Sequence, residues 1–416
     1  MINIYSKLPI ILQNAVCSIY GYKLKHQRFG KTFFEKLDWL EETQWWTASE
    51  IENYQNEELR KIVKHAYETV PYYNKLFRSI KLSPNDIRTK ADIYKIPILT
   101  KEIVRKNWKQ LISTDYRIKD LIPVHTSGST GKALNFYLSK EALQFQWAVW
   151  WRFRRRFGVN FGETHCNFTS KLAVPINQKR PPFWRYNKPL NQYIINVHHI
   201  TPKNIKSIVD FLSSHKFSYY SGYPNIINSL CLLIGEANLK ILSPPKYVFA
   251  GGEKLLDSHR QAIENTLGCI VTEQYGFAEG CGNASKCKED LFHEDFEFGI
   301  LECKRNEKSE ENESKGEIIA TGFANYAMPF IRYKIGDVGI WLNTKCRCGR
   351  NSKVIKAIDG RTGDYVITPE GRRLRSFSYV FRDIKNVKES QIVQKELGKI
   401  MIRICLLYTS PSPRDS

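Results

Sequence analysis

No stretch of this chain is apolar for long enough to cross a bilayer. The apolar residues at its start are interrupted by Lys7 and Pro9, then by Gln13, Asn14 and Ser18. A spanning helix needs roughly 20 predominantly apolar residues, so neither a transmembrane segment nor a signal peptide is expected. Internal repeats are absent, which excludes a solenoid. Acidic side chains are scarce: 42 Asp and Glu against 63 Lys and Arg leave a formal charge of +21. Nucleic acid is the partner such a surplus first suggests, but zinc-finger spacing, an RNP motif and a basic zipper are all missing, and none is expected. The nine histidines form no Ser-His-Asp arrangement, which argues against a triad hydrolase. Ten cysteines without a secretory signal read as thiols or metal ligands in a reducing compartment, the cytoplasm.

What is present is ordinary in bulk and unusual in detail. With 416 residues, 42% hydrophobic and 25% charged, the chain can bury the core of one large domain and a small one. Its densest basic cluster is Arg152, Arg154, Arg155 and Arg156, and Lys179, Arg180, Arg185 and Lys188 form a second. Both read as solvated basic faces, with phosphate-bearing ligands or an anionic membrane surface as the alternative uses.

The segment His125-Thr126-Ser127-Gly128-Ser129-Thr130-Gly131-Lys132 packs glycines, hydroxyls and a lysine into one loop. Glycine lets backbone N–H groups approach phosphate oxygens, hydroxyls add donors and lysine adds a compact charge. A Walker loop is excluded, because only two residues separate Gly128 from Gly131 and Ala133 follows Lys132. Leu121 to Val124 and Leu134 to Leu138 read as strands on either side, so the loop joins strands and opens no helix. A plain surface turn is the alternative.

Pattern breaks organise the rest. Leu59, Ile62, Val63, Ala66 and Val70 recur at helical spacing up to Pro71, Ser139 caps a helix running toward Arg156, and Asp257 caps another that ends near Gly268. Tyr247 to Ala250 reads as a strand, and strands alternating with helices between about 120 and 300 predict an α/β sheet. Asn306 to Lys315 reads as a solvated loop before a strand that starts at Gly316.

Several separated segments together resemble the adenylate-forming superfamily, and within it the CapK-type branch of the phenylacetate–CoA ligase family. Besides the loop, these are His65 to Tyr73, Ile96 to Lys101, Ala250-Gly251-Gly252-Glu253, Tyr275-Gly276-Phe277-Ala278-Glu279, Arg332 to Asp337 and Asp359-Gly360-Arg361. The resemblance implies an α/β fold, with a large adenylate-forming N-terminal domain and a small α+β C-terminal domain. The expected boundaries are a helical part of the large domain at 1–75, its AMP-binding body at 76–360, a partial small domain at 361–405 and a non-native tail at 406–416. The activity implied is attack of a carboxylate on the ATP α-phosphorus, then transfer of the acyl group to CoA.

Each motif has a chemical reason to be there. The loop residues Thr126, Ser127, Gly128, Ser129, Thr130, Gly131 and Lys132 would hold phosphates, with Lys132, Thr130 and Glu279 closest to the chemistry. Gly251 and Gly252 leave room for a flat base, with Glu253 at the pocket edge. Tyr275 and Gly276 would face adenine, Glu279 would hold Mg²⁺, Asp337 suits the ribose diol, and Arg361 completes the set. His125 could touch substrate or phosphate. The acid is small, with an aryl group one option; Trp147, Trp150 and Trp151 suit an aryl pocket, core packing or an amphipathic surface equally. Adenylyl transfer of the coenzyme F390 synthetase type, or a polysaccharide-biosynthesis protein with degenerate activity, remain the alternatives.

Cys287, His293, Cys346 and Cys348 supply three thiolates and an imidazole, a set suited to structural Zn²⁺. Their spacing is not that of a finger, and the resemblance to the CapK-type branch is what favours zinc over unlinked thiols; Cys281 is the spare ligand. Toward the end, Ile400 to Ile404 reads as a strand of the small domain. The final Ser- and Pro-containing residues resemble a translated adapter tail, in place of the terminal segment whose lysine serves adenylation in the family.

Overall fold

The order of strands and helices follows from where the chain alternates between β-branched or aromatic runs and helical spacing. The computed structural model describes residues 2–125, 134–305, 312–359, 366–369, 373–374 and 387–406. Among the described residues, one sheet of twelve strands dominates. Its parallel half contains, in spatial order, Gln192–Asn196, His165–Thr169, Tyr219–Gly222, Tyr247–Ala250 and Ile270–Gly276, with Trp184–Asn187 antiparallel at the outer edge. The antiparallel half continues through Asn283–Lys286, Phe292–Glu294, Val354–Asp359, Tyr333–Leu342 and Glu313–Gly322 to Gly299–Arg305. Ile270–Gly276 belongs to both halves. Residues 270–273 run parallel to 247–250, and residues 274–276 pair antiparallel with 283–285.

Alternation along the strands decides what covers the parallel half. Tyr220, Val248 and Val271 face Ile208, Ile227 and Ile263 of the helices Ile205–Ser214, Pro224–Glu236 and Asp257–Leu267. Tyr219 and Phe249, one residue out of phase, face Phe33, Leu37, Phe145 and Val149 of Lys31–Thr43 and Lys140–Arg155. Each of these side chains is buried, and full burial of one such side chain contributes about 1.5–3 kcal/mol. A third core joins the N-terminal helices Ala48–Thr69 and Pro71–Ser79 to the antiparallel half, with Leu59, Ile62, Tyr73 and Phe77 against Ile300, Ile318 and Ile331.

Local signals explain most boundaries. Thr47 and Glu50 form a reciprocal capping box at the start of Ala48–Thr69. Pro71 ends that helix and opens the next, where its missing N–H costs nothing. Ser139 accepts from the Ala142 N–H and caps Lys140–Arg155. Two expectations shift. Asp257 is the first helical residue and Leu256 holds the cap position, without a side-chain cap. The strand expected from Gly316 already begins at Glu313, because its partner Tyr333–Leu342 extends far enough to pair that residue with Leu342; residues 306–311 lie outside the described residues.

Near the C-terminus, Val366–Ile367 pairs with Arg373–Leu374, and Val387–Glu396 with Lys399–Leu406. The Gln394 amide bonds both the N–H and the carbonyl of Ile367, which fastens the two ladders together. Residues 407–416 lie outside the described residues. No helix among the described residues is long and apolar enough to cross a membrane.

Candidate active site

Open parallel sheets bind ligands beyond the carboxyl ends of their strands. Here that end is shaped by Gly251 and Gly252, which follow Tyr247–Ala250. The Gly251 N–H donates to the Gly222 carbonyl at 3.1 Å, and among the described residues a Cβ on Gly251 would meet nothing within 4 Å. Gly252 is different: at φ +85° a Cβ would stand 2.6 Å from the Tyr223 ring, so only glycine lets the backbone pass. Glu253, expected at a pocket edge, turns its carboxylate to the Asn225 N–H at 2.9 Å, in the first turn of Pro224–Glu236. Burial raises its pKa, opposed by that N–H.

Tyr275, Asp337, Glu279 and Tyr333 form two linked pairs. The half-buried Tyr275 donates its hydroxyl to Asp337 Oδ2 at 2.8 Å, and Tyr333 donates to Glu279 Oε1 at 2.8 Å. Glu279 is buried. Gly276 lies against the Asn283 amide, whose Oδ1 accepts from Trp150 Nε1 at 3.1 Å. The motif that carries Tyr333 is held by the N-terminal segment. Leu99 bonds the Arg332 carbonyl and the Lys334 N–H, while Arg332, at φ +50°, pairs with Glu302 and donates to the carbonyls of Tyr94 and Ile96. Lys254, next to Glu253, pairs with Asp359 at 2.6 Å.

Residues 126–133, and with them Thr126, Ser127, Gly128, Ser129, Thr130, Gly131 and Lys132, lie outside the described residues, as do Gly360 and Arg361. The flanks of the loop are described. Ile122–His125 and Asn135–Leu138 form the expected antiparallel pair. Asn325 anchors this pair by accepting from the Ser139 N–H and donating to the Tyr137 carbonyl. The pair abuts the end of the Tyr275–Glu279 motif: a Cβ on Gly280 would be 3.7 Å from Leu138 Cδ2. His125 is exposed, with Nδ1 2.6 Å from Asn135 Oδ1.

A cavity of about 150 Å³ opens at the same strand ends, lined by Arg154, Asn167, Ser221, Phe249, Gly251 and Gln274 among others. Asn167 Nδ2 donates to Ser221 Oγ at 3.1 Å, and Gln274 Oε1 is buried with no partner among the described residues. Arg154 lies over the Trp151 and Phe249 rings at 5.4 and 5.5 Å and donates to the Trp150 carbonyl. Sequence reasoning missed Asn167, Ser221 and Gln274, since nothing local marks them. Tyr333 stood in a recognised motif, but its bond to Glu279 spans 54 residues.

The basic cluster around Arg154 is not a solvated face. Arg152 is buried and paired with Asp295 and Glu297, Arg155 pairs with Glu41 at 3.0 Å, and Arg156 bonds Gln44 and Ser285. Arg185 of the second cluster is also buried, bonding Gln13 and Gln178. Of the three tryptophans, Trp151 is core, and Trp147 stacks edge-on against Trp150 under Arg28.

Cys287, His293, Cys346 and Cys348 converge from three separate segments, with one ligand atom of each within 4.8 Å of all the others. Cys287 and Cys346 sulfurs are 3.7 Å apart, and Cys348 Sγ is 3.3 Å from His293 Nε2. A tetrahedral zinc with bonds near 2.3 Å to sulfur sets ligand separations of roughly 3.8 Å, so the donor set fits that ion. His293 Nδ1 faces Ser352 Oγ at 3.5 Å, an outer contact that orients the ring. Cys281 is buried elsewhere, against Gly322.

No family model matches the chain. Among curated proteins it is 31% identical to protein CapK of Staphylococcus aureus over 408 residues, covering 97% of this chain and 88% of that protein. It is 26% identical to the phenylacetate-coenzyme A ligase of Escherichia coli over 348 residues (80% of this chain, 75% of that one), and 25% identical to that of Thermus thermophilus over 332 (75% and 71%). Among solved structures it resembles 2-hydroxyisobutyryl-CoA ligase, described in complex with 2-HIB-AMP and CoA, with TM-score 0.65, 17% identity and coverage of 87% of this chain and 80% of that one. That likeness establishes the α/β adenylate-forming fold. The fold and the near full-length similarity to CapK lead to one conclusion: the chain belongs to the CapK-type branch of the phenylacetate–CoA ligase family of adenylate-forming enzymes.

Proposed function

We propose that this chain is an AMP-forming acid–thiol ligase, activating a small carboxylic acid with ATP as an acyl-adenylate and passing the acyl group to CoA. The observation that carries the reading is convergence: Gly251, Tyr275, Asp337 and Glu279 meet at one end of the sheet, and the strands flanking 126–133 abut Gly280 beside them. Carboxylate and polyphosphate repel each other, so the work of the site is positioning and neutralising charge. Lys132 and the hydroxyls of Thr126, Ser127, Ser129 and Thr130 serve the phosphates, with Gly128 and Gly131 giving them access to the backbone. Tyr275 presents a ring face to adenine beside Gly276 and the space over Gly251. Asp337 takes the ribose hydroxyls, with Tyr275 fixing its other contact and Arg361 close by in sequence to Asp359. Magnesium, if bound, would supply positive charge to offset the negative charge of the polyphosphate. Glu279 would hold it, oriented by Tyr333.

The cavity bounds the acid. About 150 Å³ is the size that accommodates a benzene-sized group, but the lining by Arg154, Asn167, Ser221 and Gln274 is polar. A small acid with a hydroxyl or second carboxylate suits it better than an arylacetate. Structural zinc at Cys287, His293, Cys346 and Cys348 belongs to the same reading. So does the cytoplasm, where ATP and CoA are found and where all ten cysteines would stay unpaired, as they are here.

The test is ATP–pyrophosphate exchange across a panel of short hydroxy acids, dicarboxylates and arylacetates. Exchange that depends on a small polar acid, and that falls by about 10²-fold or more in Glu279→Gln or Lys132→Ala at unchanged melting temperature, is expected. Absence of exchange with every acid would instead point to adenylyl transfer to another acceptor or to a protein without this activity.

A further inference from the structure

The second helix, Ile10–Arg28, is packed with its polarity reversed. Gln13 and Gly21 are buried, and Asn14 and Ser18 point the same way. Asn14 Oδ1 accepts from the Tyr186 N–H, Ser18 Oγ accepts from the Lys188 N–H, and Gln13 Oε1 holds the buried Arg185. Asn14 and Ser18 satisfy backbone N–H groups of the edge strand Trp184–Asn187 and of the residue after it, and Gln13 satisfies a buried guanidinium, which explains why the polar face turns inward. The apolar face is left outside. Ile11 is 80% exposed and Ile19 70%, with Leu12, Val16, Tyr20 and Tyr22 exposed beside them and Ile4 on the preceding turn. Tyr5 donates to the Ala173 carbonyl, which brings this region against a loop whose Leu172 and Ile176 are exposed as well. A contiguous apolar surface of this kind marks a site of contact.

Charge identifies the contact. The first 34 residues contain no Asp or Glu, and Lys7, Lys23 and Lys25 are exposed around the apolar face. Lys179 and Arg180 are exposed on the adjoining loop and line a cleft of about 660 Å³ between it and residues 6–13. We propose that this face docks the protein on the surface of an anionic bilayer, with Ile11, Leu12, Val16 and Ile19 entering the interface and the lysines meeting lipid phosphates. The contact rests on the exposed apolar side chains and the lysines around them, with Tyr20 and Tyr22 placed where aromatic side chains favour the membrane–water boundary. A second copy of the chain fits less well, because a two-fold contact brings the same lysines face to face. A protein partner fits less well too, since lysine is depleted at protein interfaces.

The test is co-flotation of the full chain with vesicles of phosphatidylcholine alone or mixed equally with phosphatidylglycerol, at low and high salt. Binding is expected only with phosphatidylglycerol, weakening at high salt. Ile11→Asp with Ile19→Asp should lower the bound fraction by about tenfold or more. Lys23→Glu with Lys25→Glu should lower it comparably, and serves as the second variant if the first folds poorly. All these positions are remote from the nucleotide motifs, so pyrophosphate exchange should be unchanged. Failure of the wild type to float with anionic vesicles overturns the proposal, as does binding that neither variant weakens. Self-association on sedimentation that Ile11→Asp/Ile19→Asp abolishes, without flotation, assigns the face to a second copy instead.

Discussion

Arg152 carries more of the fold than its surroundings in sequence suggest. It is one of four arginines in five residues, yet its guanidinium is buried between Asp295 and Glu297, whose other partners are Asn283, Ser285 and Thr43. Burial raises the Asp295 pKa, but the charges of Arg152 and Arg156 and the bonds from Asn283 and Ser285 outweigh it and leave the carboxyl below its ordinary value. Removing one member of a buried ionic network strands the others, so Arg152→Leu should cost about 3–5 kcal/mol in denaturant unfolding. Arg155→Ala, at a more exposed pair, should cost under about 1 kcal/mol. None of this was legible in the sequence, because the partner acids lie 143 and 145 residues away. By contrast, Glu279, Tyr275 and Asp337 could be singled out as candidates from sequence because family motifs are local in sequence. His165 offers a second residue-scale check. Its Nδ1 is 3.1 Å from the Glu163 carbonyl, Gln192 faces Nε2, and the ring stacks on Tyr219, an arrangement that suits the neutral ring. Burial pushes its pKa down to about 4 against the Glu163 bond, with Arg154 adding to the depression. The unfolded chain therefore binds the proton first, and stability present above the unfolded value near 6.5 is lost as pH falls toward 4. Relative to His165→Gln, the wild type should lose roughly 3 kcal/mol between pH 7 and 4 in urea unfolding.

Elements were read best where a cap or a proline marks their ends. Ser139 and Pro71 stand where expected, and Ser139→Ala should cost about 1 kcal/mol by losing the bond to the Ala142 N–H, measured as a lower urea midpoint at unchanged m-value. Helix Ile10–Arg28 shows what pattern alone misses. Gln13, Asn14 and Ser18 look like interruptions in an apolar run, and only the edge strand they serve explains them. The early start of Glu313–Gly322 has a similar cause, since pairing with Leu342 overrides a polar composition. Tertiary partners, not propensity, decided both.

At the scale of the molecule, the α/β class was readable from alternation, but the twelve-strand order was not, because register between distant strands leaves no local trace. The cysteine cluster ties together parts of the antiparallel half: Cys287 follows Asn283–Lys286, His293 lies within Phe292–Glu294, and Cys346 and Cys348 precede Val354–Asp359. Elemental analysis of purified protein should find about one zinc per chain, absent when Cys346 and Cys348 both become Ser, and chelation should lower the melting temperature. Metal-free protein of full stability would refute the site. The strand Ile270–Gly276 has its own consequence. Since its first four residues finish one half-sheet and its last three begin the other, no single cut yields two self-sufficient pieces. A fragment ending before it bares the edge of Tyr247–Ala250, and one starting after it bares Asn283–Lys286. Neither half-sheet is therefore closed on its own, since one and the same strand completes both.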